Sequence, residues 1–205
     1  MSFLTLLPLA VVMIAGPQLL SAIFLATSED WRQNSASFVF GATLSIALVV
    51  TVAYFLGNSA TDGGSSHTGL QIIVLLLLLF AMVSVYLNRE EAEPPKWMGK
   101  LQSANPRFSF RLGFLLLGVF PTDILTSAAV GSYLSGNNLP LTDSIGFILL
   151  TVFLLALPSI AVLALGERAE AFLPKIRDWM NTNSWIVNEA VILLFIALTL
   201  NNLFG

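Results

Sequence analysis

The sequence predicts an all-α integral membrane protein with six transmembrane helices arranged as two inverted three-helix repeats. Three observations predict it. Of the 205 residues, 56% are hydrophobic and only 10% charged, whereas a soluble globular domain carries roughly 25% charged residues. Six apolar stretches each approach the roughly 20 residues that a helix needs to cross a bilayer core. All nine Lys and Arg residues fall on one side of the alternation that these stretches impose.

The stretches run about Phe3–Ala26, Ser35–Gly57, Leu70–Leu87, Phe108–Tyr133, Ser144–Leu165 and Trp185–Leu203. The third is the plainest, because Ile72 to Phe80 is unbroken apolar sequence. The first has no Lys or Arg ahead of its apolar run and is long enough to span, so it is expected to be a retained helix rather than a cleaved signal. Asn58–Gly69 and Ser135–Pro140 are turn-rich connections, and Asn88–Arg107 and Gly166–Ser184 are longer and charged. Residues 1–87 then form the first three-helix repeat, 88–107 a cytoplasmic linker and 108–205 the second repeat, within one membrane domain.

Alternation puts the loops near 27–34, 88–107 and 166–184 on one face. Arg32, Arg89, Lys96, Lys100, Arg107, Arg168, Lys175 and Arg177 lie there, with Arg111 at the adjoining edge of the fourth span. The positive-inside rule makes this face cytoplasmic, so both termini are expected on the non-cytoplasmic side of the cell membrane. Trp31, Trp97, Trp179 and Trp185 lie at or beside the same face, where amphipathic rings favour the interface. Two segments there read either as short surface helices or as ordinary tethered loops. One carries Lys96, Trp97, Lys100 and Leu101; the other carries Phe172, Lys175, Ile176, Arg177, Trp179 and Met180.

The two halves share a pattern. Pro17 and Pro121 fall near the middle of spans one and four. Gly41 follows Pro17 by 24 residues, and Gly146 follows Pro121 by 25. A proline lacks the N–H that continues a helix and clashes with the carbonyl one turn earlier. Such a break is tolerated at membrane depth only against protein or a water-filled cavity. Matched breaks in two halves point to a transporter's midplane site. Two half-helix N-termini would face each other there, each with a partial positive charge.

Asp123 is the carboxylate nearest a span centre. A charge at that depth costs several kcal/mol and needs a partner or water. It reads as a substrate, cation or proton site, and equally as a cap on the backbone freed by the break. The candidate binding set is Pro17, Gln18, Pro121, Thr122 and Asp123, with Ser21, Thr126 and Glu189 as secondary members. Glu189 lies about one turn inside span six, where it also reads as a wet interfacial carboxylate. Ser21, Thr43, Ser45, Thr126, Ser127 and Thr151 either line a polar path or bond across helices. Gly41, Gly113, Gly118, Gly131 and Gly146 are expected to allow close helix packing.

Several classes are disfavoured. Cysteine is absent and His67 is the single histidine, which excludes thiolate metal sites, thiol redox chemistry and a His-rich metal centre. No metal or cofactor is expected. No basic stripe suggests nucleic acid, and no GxxxxGK[ST] motif suggests direct ATP hydrolysis. One central carboxylate and one loop histidine make a poor catalytic set, so an enzyme is not expected. A lipid-modifying enzyme and a non-transporting accessory subunit are the competing classes.

The run Pro95-Lys96-Trp97-Met98-Gly99-Lys100-Leu101, followed by Arg111-Leu112-Gly113-Phe114-Leu115-Leu116-Leu117, resembles the middle of the peptidoglycolipid-addressing (GAP, or Sap) proteins of the LysE exporter superfamily. Gly16-Pro17, followed by Phe38-Val39-Phe40-Gly41, is similar to that superfamily as well. Where those relatives commonly carry Asn-Pro-Lys in span four, this chain has Phe120-Pro121-Thr122. The resemblance implies a six-span exporter of inverted repeats, with polar lipid or glycolipid cargo suggested for some members. The expected function is therefore a secondary transporter or exporter of a small polar solute or a polar lipid. Its partners would be membrane lipids and that cargo, and a homo-oligomer is compatible with the sequence.

Overall fold

The computed structural model describes residues 3–57, Leu101, residues 103–183 and isolated positions between 186 and 200. Every element among the described residues is helical, with no strand. The third span, the loop and linker that flank it, and most of the sixth span lie outside the described residues.

Span one is two helices, α1 (Phe3–Ile14) and α2 (Pro17–Ala26). Span two is the continuous α3 (Trp31–Gly57). Its 27 residues reach about 40 Å, enough to cross a membrane. Span four is again two helices, α4 (Pro106–Val119) and α5 (Pro121–Gly136). A 3₁₀ turn at Leu141–Ser144 leads into α6 (Ile145–Leu165), where the sequence predicts the fifth span. α7 (Glu167–Thr182) follows at once. By length and composition α3 and the Leu141–Leu165 segment each qualify as a membrane span, and α4 with α5 qualifies as a third if the bent pair is one traverse.

The contacts along α3 argue for one traverse. Gly41 lies against Phe110, Ser45 against Gly118, and Val50, Ala53 and Tyr54 against Gly131. The Tyr54 hydroxyl donates to the Leu139 carbonyl at 3.1 Å. The chain thus advances along α3 in the same direction before and after its 66° bend, which a re-entrant loop would not do. In the other half, α1 and α2 both pack on α6.

Small residues decide the closest approach. A Cβ at Gly41 would overlap the Phe110 carbonyl oxygen, and one at Gly113 would overlap the Phe38 carbonyl oxygen. The reciprocal contact joins two Phe-x-x-Gly segments, Phe38–Gly41 and Phe110–Gly113. Close backbone approach through glycine is how membrane helices gain packing energy without a hydrophobic driving force. Gly118 and Gly131 also pack closely. Gly146 departs from expectation: it is exposed, while Phe147, Thr151 and Leu155 form the buried face of α6.

The charged loops gather at one end. The buried Asn34 amide donates to Ser28 Oγ and to the Ala104 carbonyl, both at 3.0 Å, and its Oδ1 accepts weakly from Ser109 Oγ at 3.4 Å. Asn105 caps α4 by accepting from the Phe108 N–H at 2.9 Å. Asn34→Ala would strand these buried groups. We expect a loss of about 2 kcal/mol, read as a lower melting temperature in detergent.

α7 lies at the same end. Ala169, Leu173 and Met180 are buried, Ile176 is half-buried, and Phe172 and Trp179 are exposed. The Arg177 guanidinium sits 4.8 Å from the Phe24 ring centroid and pairs with Asp178 at 2.8 Å. The second of the two expected surface segments is thus a helix. The first, around Lys96–Lys100, lies outside the described residues.

Candidate functional site

Both prolines open a half-helix at its first position. What precedes each explains the break. Gly16 adopts φ 88° and ψ −134°, a conformation open to glycine but not to residues with a side chain. Phe120 adopts φ −64° and ψ 128°, the extended form that a following proline imposes. Pro158, by contrast, sits inside the continuous α6, so a proline by itself does not end a helix here. A Cβ at Gly16 would meet only Gln18 Oε1, at an ordinary 3.7 Å. Gly16→Ala therefore tests backbone strain alone, and we expect a loss of about 2 kcal/mol, again read from thermal melting.

The two breaks meet. Gln18, second residue of α2, donates from Nε2 to Asp123 Oδ2 at 2.6 Å. Asp123 is the third residue of α5. Both side chains are essentially inaccessible, at 1% and 0% exposure. Asp123 is the only acidic residue in the fully buried class among the described residues. The positive ends of α2 and α5 and the Gln18 amide offset part of the cost of burying a carboxylate at this point. The cap reading of Asp123 is corrected: Phe120 occupies the N-cap position without a side-chain bond, and the carboxyl reaches across to the other broken helix instead.

Two acceptors remain unused. Among the described residues, Gln18 Oε1 and Asp123 Oδ1 are buried and have no hydrogen-bond partner. Buried polar atoms are usually satisfied, so the pair is chemically prepared to receive a donor. A hydroxyl, an amine, a proton or a hard cation would each serve.

The neighbouring polar residues sort differently from expectation. The hydroxyls of Ser21, Thr43, Thr126 and Thr151 each donate to the carbonyl four residues earlier in their own helix: Pro17, Val39, Thr122 and Phe147, at 2.6 to 2.9 Å. Among the described residues these hydroxyls make no bond across helices; the i−4 carbonyl is within reach of a helical Ser or Thr. Ser127 is the exception, with Oγ 3.7 Å from Met13 Sδ on α1. Met13 went unnoticed in the sequence, although it stands one turn before Pro17. Thr122 adjoins Asp123 but is exposed. Pro17 is half-buried, and Ser21 and Thr126 are buried. Pro121 enters by its backbone, as the first residue of α5. Glu189 is helical and half-buried; among the described residues its Oε1 is buried and unpartnered, and no hydrogen bond joins it to Gln18 or Asp123.

Known proteins bear on the whole chain. No curated protein and no solved structure gives a significant match. A family model described as "Sap, sulfolipid-1-addressing protein" matches residues 6–202. That match spans both broken helices and every described element after Leu6, and the chain therefore belongs to the Sap, sulfolipid-1-addressing protein family.

Proposed function

We propose that this chain is a secondary transporter or exporter that moves a polar lipid, a glycolipid or a small polar solute across the cell membrane. The observation that carries the proposal is the Gln18–Asp123 hydrogen bond, which joins two broken helices at their breaks. A midplane site needs polar groups that the surrounding helices do not already satisfy. Gln18 Oε1 and Asp123 Oδ1 fit that need.

The architecture proposed is six spans in two inverted repeats, with both termini non-cytoplasmic, as in LysE-type exporters. The pattern of contacts supports it. Exchanging α1 with α4, α2 with α5 and α3 with α6 turns the α3 pairings with α4 and α5 into the α6 pairings with α1 and α2. The same exchange turns the α1–α5 pairing into α2–α4 and leaves α3–α6 unchanged. The gathering of Arg32, Arg107, Arg168 and Arg177 at one end agrees with cytoplasmic loops there. The family's name favours a lipid among the cargo classes.

In this mechanism the two repeats rock about the Gln18–Asp123 contact and expose it alternately to each face. Cargo donors engage the two free acceptors, and a proton on Asp123 changes the charge that the half-helix ends must balance. The chain acts as a carrier and not as an enzyme, without cofactor or metal. The test is reconstitution of the purified protein into vesicles holding a lipid with a fluorescent headgroup, with an impermeant quencher added outside. Transbilayer movement faster than in protein-free vesicles is the expected result. Rates no faster than in protein-free vesicles, for polar lipids, glycolipids and small polar solutes alike, would remove the carrier reading.

A further inference from the structure

A second feature lies at the charged end of the α3–α4 seam, away from the breaks. An open cleft of about 370 Å³ is lined by Ser37, Pro106, Arg107, Phe110 and Arg111. Arg107 and Arg111 are one turn apart on α4, and both are exposed. Neither forms an ion pair among the described residues. Two like charges at this spacing repel and weaken a helix slightly, so their arrangement around one cleft calls for an anion. A guanidinium fork matches the oxygens of a phosphate or sulfate group and binds them in a two-pronged manner.

The walls add a second requirement. Phe110 stacks on Phe114 with ring centroids 6.4 Å apart, and Phe40 lies 6.0 Å from Phe110. Phe40 is 65% exposed. Phe110 and Phe114 lie in succession along α4, away from its Pro106 end and so away from the charged loops. From Arg107 to Phe114 the helix rises about 10 Å, the distance from a headgroup to the upper acyl chains. A free inorganic anion has no use for such a wall, whereas an amphiphile uses both parts.

We propose that Arg107 and Arg111 bind the anionic headgroup of an inner-leaflet lipid, whose acyl chain lies along Phe110, Phe114 and Phe40. The proposal rests on the membrane reading and not on transport. A bound lipid here would persist even if the Gln18–Asp123 contact carried nothing.

The experiment uses the full chain in detergent, with native mass spectrometry to count bound lipid. Phosphatidylglycerol and phosphatidylcholine are offered at equal concentration. Preferential retention of phosphatidylglycerol is expected. Arg107→Gln with Arg111→Gln should reduce that retention by roughly tenfold. Arg107→Lys with Arg111→Lys, which keeps charge but loses the fork, should reduce it by roughly threefold. Arg168→Gln with Lys175→Gln, on α7 at the same end, should leave it unchanged. Without lipid, the double glutamine variant should melt no lower than the parent, since it relieves repulsion. Undiminished phosphatidylglycerol binding in that variant would overturn the proposal, as would an equal loss in the α7 variant. Complete displacement by millimolar inorganic phosphate would overturn the lipid assignment.

Discussion

Asp123→Asn should lower transbilayer cargo movement by at least about tenfold while leaving the folded protein intact. The amide is nearly isosteric with the carboxyl and keeps an oxygen to accept from Gln18 Nε2, now 2.6 Å from Oδ2. What it loses is the negative charge between two half-helix ends and the capacity to take up a proton. A hydrogen bond to a charged group contributes about 1.5–3 kcal/mol, which corresponds to a factor of roughly 10 to 150 in rate. Vesicle flux and thermal melting must be read together. Parent-like flux in Asp123→Asn would remove both charge and proton from the mechanism. Gln18→Leu supplies the converse. It leaves a buried acceptor without its donor, which costs about 1–3 kcal/mol. Adding Asp123→Asn to Gln18→Leu should restore much of the stability, but not the flux. Such a cycle separates the contact's structural part from its part in transport.

The second large effect is structural. Gly41→Ala and Gly113→Ala each place a methyl group into a backbone carbonyl of the facing helix, Phe110 and Phe38 respectively. The obstacle is main chain in a continuous helix, so no rotamer change relieves it and α3 must move away from α4. We expect each to cost about 3 kcal/mol, the upper end for overpacked interiors, and to lower the melting temperature by roughly 10 °C. Gly136→Ala is the control, since no atom lies within 4 Å of its added Cβ. Similar melting of all three variants would show that helix propensity rather than close approach governs these positions. Because α3 also carries the contacts to α5, the two damaging variants should disturb the Gln18–Asp123 site as well. Flux should then fall more than the remaining folded fraction explains.

These effects bear on how far local chemistry reaches. Helix limits near Ala26 and Leu165 were readable because apolar length is a local property matched to bilayer thickness. The breaks at Pro17 and Pro121 were readable for a similar reason. A proline restrains the residue before it and deletes one donor, and neither effect depends on what lies across the membrane. The end at which the basic loops gather followed from counting crossings. Spans three and six lie largely outside the described residues.

Other features depended on partners distant in sequence. That Gln18 touches Asp123 is a contact over 105 residues, and matched prolines imply only that two such regions share a depth. Asp123 as a cap and Asp123 as a cross-helix partner are equally consistent with its place after Pro121; packing of α2 against the second half chose between them. Gly41 and Gly146 have matching sequence positions, yet Gly41 meets a facing backbone and Gly146 is exposed. The sequence by itself determined where the helices start, stop and break, because sterics and apolar length act within a few residues. Only the tertiary structure decided which polar atoms find each other and which are left waiting, because that depends on rotation of each helix against its neighbours.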